Sequence, residues 1–213
     1  MKKIVLLGDS IRQGYDKYVR MAFDGAAEVY YPDCNCRFTA HILRHIVDWK
    51  EKMNCGDDVD LVHWNAGLWD SLTLIDGKTH TSIATYRENL ARICDMIRML
   101  FPQARMIFAT STPVVEEWFK TYKYKRSNRD IERFNDAARE VIKAYGGEIN
   151  DLYALLKDLP VAYHSDQTHF YTKEGTRVIT DRLIDCIGKT LGIQGVPPDY
   201  DKLFSPKEDA LGL

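Results

Sequence analysis

The 213-residue sequence lacks any apolar run approaching the ~18 residues that a helix needs to cross a bilayer, so no membrane span is expected. It also has little net charge. Lys and Arg number 29 against 31 Asp and Glu, a formal charge of −2. No chain-wide basic field exists to track phosphates, which argues against a nucleic-acid partner. Paired cysteines are missing as well. Cys34, Cys36, Cys55, Cys94 and Cys186 are odd in number and share no framework spacing, and Cys94 and Cys186 fall on apolar positions of helical patterns, so they read as reduced thiols. Gly8 to Gly14 fits neither the dinucleotide-binding nor the phosphate-loop glycine pattern, which argues against a nucleotide enzyme. No internal repeat, low-complexity tract or second core is evident.

What is there is an ordinary globular composition, with 45% hydrophobic residues. A chain of this length can bury about 70% of its unfolded surface in one core. One domain over residues 1–193 with a tail over 194–213 is the expectation. Gly195-Val196-Pro197-Pro198 opens that tail as an extended arm or disordered end, through which copies of the chain could associate. Lys2 and Lys3 precede an apolar stretch that ends at Leu7, too short for a signal-peptide core, and a cytoplasmic protein with a small-molecule partner is expected.

Short β-rich runs alternate with amphipathic segments. Ile4 to Leu7, Val29 to Tyr31, Val59 to Trp64, Met106 to Ala109 and Glu148 to Ile149 read as strands. Thr39 to Met53, Ser82 to Leu100, Ser127 to Tyr145 and Lys173 to Leu191 place apolar residues at spacings of three and four, one buried face each. Strands and helices alternating so regularly make right-handed parallel crossovers covered on both faces. The predicted fold class is therefore α/β, a three-layer α/β/α sandwich around a parallel, mainly five-stranded sheet.

Ligands of such sheets bind beyond the carboxyl ends of the strands. Gly8-Asp9-Ser10, Asn65-Ala66-Gly67 and Thr110-Ser111-Thr112-Pro113 all follow strands and should converge on one edge. A strand-to-helix turn lifts the Ser10 hydroxyl out of the sheet beside unpaired backbone N–H groups, as a nucleophile requires, although Gly-Asp-Ser is also an ordinary helix cap. Asp166, three residues before His169, can fix the histidine tautomer and stabilise the imidazolium formed when His169 takes a serine proton. Without a nucleophile nearby, the same residues would read as a cap and a packed histidine. His164 reads as loop. Cys34, Cys36, His41 and His45, the histidines four apart on one helix face, offer a zinc site. One spacer residue between the cysteines is tight for structural zinc, so no metal is assigned.

Gly8-Asp9-Ser10 at the first strand end, the Asn65 and Gly67 loop after the third strand, and Asp166-x-x-His169 before the last helix resemble the SGNH (GDSL) hydrolases over Ile4 to about Leu191, with Asn65-x-Gly67-Leu68 similar to the Asn-x-Gly-Leu sub-branch of these esterases and acylhydrolases. The resemblance implies a flavodoxin-like sandwich and cofactor-free hydrolysis of acyl esters, often O-acetyl groups on carbohydrates. It implies Ser10 as nucleophile, His169 as general base, Asp166 as the carboxylate orienting it, and a structural Asp9.

The oxyanion hole departs from the family pattern. Trp69 stands where the family's Asn falls if Gly67 is aligned, which leaves Asn65 as the available amide. Asn35-Cys36-Arg37-Phe38-Thr39 replaces the family's oxyanion glycine. Any residue except proline supplies an N–H, so Cys36 or Arg37 could serve beside Ser10. Trp69 and Trp118 could stack on a sugar ring or simply wall the core. Lys120 to Arg126 gives a cationic, aromatic rim or a solvated loop. The expected substrate is a short-chain acyl ester or acetylated sugar. The alternative is a non-catalytic carbohydrate-binding or scaffold module.

Overall fold

A computed structural model describes residues 1–119 and 124–205. Lys2–Leu7 (β1) lies inside a five-stranded parallel sheet with Ala27–Tyr30 (β2) on one side and Leu61–Trp64 (β3), Arg105–Ala109 (β4) and Glu148–Asn150 (β5) on the other. The helices are Ser10–Ala22 (α1), Thr39–Met53 (α2), Ile83–Leu100 (α3), Asn128–Ala144 (α4), Leu152–Leu156 (α5), Lys173–Leu191 (α6) and Tyr200–Leu203 (α7). β3 opens two residues later than the apolar run from Val59 implies. There the Asp60 carboxylate turns aside to accept from the Lys3 N–H at 2.8 Å and the Lys2 ammonium at 2.7 Å.

Because successive strand side chains point to opposite faces, the sheet divides the core in two. Ile4 and Leu6, with Leu61, Ile107 and Ala109, pack with Ile11, Tyr15 and Val19 of α1 and Ile179, Leu183 and Ile187 of α6. Val5 and Leu7, with Val62, Trp64 and Phe108, pack with Ile42 and Ile46 of α2, Leu90 and Ile93 of α3, and Phe134 and Ala138 of α4. Each fully buried side chain of this size contributes about 1.5–3 kcal/mol. This is why all three layers form together. Among the described residues no helix is long and apolar enough to cross a membrane.

Helix boundaries follow local chemistry. Ser82, Ser127 and Thr172 each cap a helix by accepting a backbone N–H, and Gly192 ends α6 at φ 66°, where a side chain would be strained. Leaving β1, the chain crosses to β2 on one side and returns through α2 to β3 on the other. That reversal opens a crevice at the carboxyl ends of β1 and β3.

The expectation of an extended arm after residue 193 is corrected over residues 195–205, which lie against the domain. The Val196 N–H donates to Ala22 O at 2.8 Å. Tyr200 is buried with its ring 5.7 Å from that of Tyr18, and the Ser205 N–H bonds the Tyr18 hydroxyl. Tyr200 supplies the buried apolar surface that holds this segment, which the turn residues Gly195, Pro197 and Pro198 had obscured.

Candidate active site

Ser10 stands in the crevice at the first position of α1, outside the intrahelical hydrogen-bond ladder at its N–H. Gly8 makes its approach feasible: a Cβ there would lie 2.0 Å from Asn65 Oδ1. Asp9 caps the helix. Its buried Oδ1 accepts from Ile11 N–H and from Asn65 Nδ2, each at 2.9 Å. Burial pushes the Asp9 carboxyl up, and the bonds from Asn65 and Ile11 only partly oppose that. Asp9 is thus spent on structure, tying the β1 turn to the β3 loop.

The loop before α6 brings two more of the sequence-predicted residues to Ser10. His169 Nε2 lies 2.7 Å from Ser10 Oγ and His169 Nδ1 lies 2.7 Å from Asp166 Oδ2. With Nδ1–H facing a carboxylate, Nε2 is the acceptor for the serine hydroxyl. Asp166 Oδ1 accepts the backbone N–H groups of Thr168 at 2.7 Å and His169 at 2.9 Å, so the loop is wrapped around its own carboxylate. Burial raises the Asp166 carboxyl, but the bonds from His169 and these amides outweigh it and hold the group below its ordinary value. His164, read as loop, is half-buried against Phe170 with ring centroids 3.9 Å apart. Burial takes it down to about 4.

Tyr171 escaped the sequence reading. Its ring stacks on His169 at 4.6 Å and 17°, and its hydroxyl donates to Ser10 O at 2.6 Å. Gly14 makes the space, since a Cβ there would lie 2.7 Å from the Tyr171 ring. One tyrosine therefore fixes both the serine backbone and the imidazole plane. The only signal was a tyrosine two residues after the histidine and a glycine on the facing helix.

The second backbone donor expected of Cys36 or Arg37 is corrected. An amide has one hydrogen, and the Cys36 N–H spends it on Gly8 O at 3.0 Å while the Arg37 N–H spends it on Asn35 Oδ1 at 2.8 Å. The Asn65 amide gives one hydrogen to Asp9 and keeps a second that Asp9 does not use.

No protein-family model matches the sequence, and no curated protein matches it. Solved structures do. The fold is shared with a lipase/acylhydrolase from Enterococcus faecalis at a TM-score of 0.70 and 21% identity, covering 93% of this chain and 100% of that one. It is shared with a GDSL-like lipase from Bacteroides thetaiotaomicron at 0.67 and 17%, covering 88% of each chain. It is shared too with an acetylxylan esterase from Geobacillus stearothermophilus at 0.65 and 15%, covering 88% and 94%. At such identities the likeness is one of fold.

Of the aromatic and cationic residues expected near the site, Trp69 is half-buried in the β3 loop with the Arg126 guanidinium 6.0 Å from its ring centroid, and Trp118 is exposed on the turn Glu116–Phe119. Arg126 donates to Leu68 O at 2.7 Å and to Thr168 Oγ1 at 3.4 Å, bridging the β3 loop to the histidine loop. Burial pushes it down to about 10, so it stays charged at neutral pH. Of the expected Lys120–Arg126 rim, residues 120–123 lie outside the described residues. Cys34, Cys36, His41 and His45 do not assemble into a zinc site: the His41 ring bonds the Cys36 carbonyl and lies tilted against the His45 ring. Among the described residues no group of three or more His, Cys, Asp or Glu could hold a metal.

Proposed function

We propose that the protein is a serine esterase that removes short acyl groups, acetyl foremost, from esters such as acetylated sugars. The observation that carries this reading is the pair of 2.7 Å contacts linking Ser10, His169 and Asp166. His169 takes the Ser10 proton as Oγ adds to the ester carbonyl. The tetrahedral oxyanion is met by the Ser10 N–H and the Asn65 amide. His169 then protonates the leaving alcohol, and an acyl-serine remains. Water, deprotonated by the same imidazole, releases the acid and returns the proton to Ser10. Asp166 stays ionised throughout and steadies the imidazolium. No cofactor enters any step. Acetyl is favoured over longer chains by the acetylxylan esterases that share the fold.

Hydrolysis of p-nitrophenyl acetate, butyrate and octanoate by the wild type and Ser10→Ala tests this. The expected result is a fall of about 10³ or more in the variant, with acetate the best substrate. Equal background rates on every ester, and on a panel of acetylated sugars, would leave a binding module on the same fold.

A further inference from the structure

The loop Asn35–Phe38 contains a backbone conformation that the chemistry above does not use. Among the described residues two non-glycines have left-handed φ, Asn54 at 48° and Arg37 at 53°. Asn54 ends α2, where asparagine is a common choice. Arg37 has no such excuse: its Cβ is crowded there, and glycine would be accommodated without strain. The loop is nonetheless held in this form from both sides. The Cys36 N–H is bonded to Gly8 O, the Arg37 N–H to Asn35 Oδ1, and Phe38 O accepts the first N–H groups of α2 from His41 and Ile42. A strained residue so firmly fixed points to a use for its side chain.

That side chain is exposed, and its loop borders the crevice, since the Gly8 carbonyl that anchors its neighbour Cys36 lies two residues before Ser10. No carboxylate among the described residues pairs with the Arg37 guanidinium. Its charge is felt by His41, which burial first, and then His45 and Arg37, disfavour in the protonated form. Arg126, bonded to Thr168 beside His169, is a second guanidinium near the site, but its charge is already favoured by the Asp9 and Asp166 carboxylates. A chain with a formal charge of −2 therefore places an exposed guanidinium, without a carboxylate partner among the described residues, on a loop beside its half-exposed serine.

We infer that Arg37 binds an anionic group on the alcohol half of the ester, so that the preferred substrates are acylated sugars bearing a carboxylate or phosphate. This rests on the esterase reading. With a short acyl group, substrate charge resides in the alcohol half, and a guanidinium fork suits both oxyanions.

The test compares kcat/KM on O-acetylated glucuronate, glucose 6-phosphate and glucose for the wild type, Arg37→Gly and Arg37→Lys. Charge-assisted bonds of this kind predict an anionic-over-neutral ratio that falls by about 10-fold or more in Arg37→Gly and partly recovers in Arg37→Lys. The glycine variant should melt no lower than the wild type, which separates lost recognition from lost folding. The relative rates on the two anionic substrates tell carboxylate from phosphate. A wild-type ratio near one, or a ratio untouched in Arg37→Gly, overturns the inference. If no ester is hydrolysed, the esterase reading fails by itself. Calorimetric titration with glucuronate, glucose 6-phosphate and glucose then decides: binding of either anion but not glucose, lost in Arg37→Gly, supports the anion site, and binding of neither anion, or binding unaltered by the substitution, refutes it.

Discussion

Two loops meet at Ser10 and are built in opposite ways. The loop Ser165–Tyr171 is relaxed and densely bonded: Asp166 gathers two backbone amides and an imidazole, the Ser165 N–H donates to His169 O at 2.8 Å, and Tyr171 covers the ring. The loop Asn35–Phe38 is strained at Arg37, and its cation has no carboxylate partner among the described residues. A proton relay tolerates little displacement, so its loop is fixed by many bonds. The recognition role proposed for Arg37 would need an unsatisfied group, and its loop is held by the backbone with the side chain exposed.

The largest effect that would sharpen this contrast lies between the two loops, at Asn65. Removing one oxyanion donor costs about 10²–10³ in kcat, so Asn65→Ala should lower kcat with KM little changed. An unchanged kcat would remove Asn65 from the scheme and leave Ser10 N–H without its companion. Asp9 would also lose a bond, so a thermal melt of the same variant separates the two consequences.

Tyr171 comes next. Tyr171→Phe keeps the ring on His169 but loses the bond to Ser10 O, whereas Tyr171→Leu loses the aromatic face that favours an imidazolium. We expect a few-fold loss in kcat for Phe. For Leu, losing about 1 kcal/mol of such stabilisation predicts about fivefold, with the acid limb of the pH–rate profile displaced only in Leu. Identical profiles in both variants would show that the stack does nothing beyond packing.

The smallest effect is one of pH on stability. His164 is held below its ordinary value, to about 4, so an unfolded chain takes up a proton near pH 6.5 that the folded loop refuses. Asp166 is also held low, and its contribution is lost as pH falls past the ordinary carboxylate range. Stability should therefore fall from about pH 6.5 downward, first through His164 together with His41 and the buried His63, which are also held low, and then through Asp166. His164→Phe should flatten the upper part. The other loop responds less strongly: burial pushes the Cys36 thiol up to about 12, and the His41 ring that bonds the Cys36 carbonyl is held low by burial by less than His164 is. Amide exchange on acidification should accelerate in residues 165–171 before residues 35–38. The reverse order would break the comparison.

Much of the scaffold was legible because periodicity is a local property. Thr39–Met53 and Lys173–Leu191 match their apolar spacing to the residue, and β1, β3 and β4 sit on their apolar runs. Ser10, Asp166 and His169 were legible because a strand-end turn and an Asp-x-x-His spacing carry their geometry within a few residues. Where the reading failed, the deciding contact was long-range. The N–H groups of Cys36 and Arg37 were available in principle, but Gly8 and Asn35 claimed them. The docked segment at 195–205 depends on Tyr200 finding Tyr18, far away in the chain.

The sequence by itself determined the alternation of strands and helices, the edge at which a ligand would sit and the identity of the serine, histidine and aspartate, since each depends on neighbours within a turn or two. Tertiary structure alone decided that the Cys36 and Arg37 N–H groups are bonded within the fold, that Tyr171 spans serine and histidine, and that Arg37 is held left-handed with no carboxylate partner among the described residues. Hydrogen-bond partners and unpaired charges are settled by which distant groups arrive first, and only the packed sheet brings residues 8, 36, 65 and 169 within reach of one another.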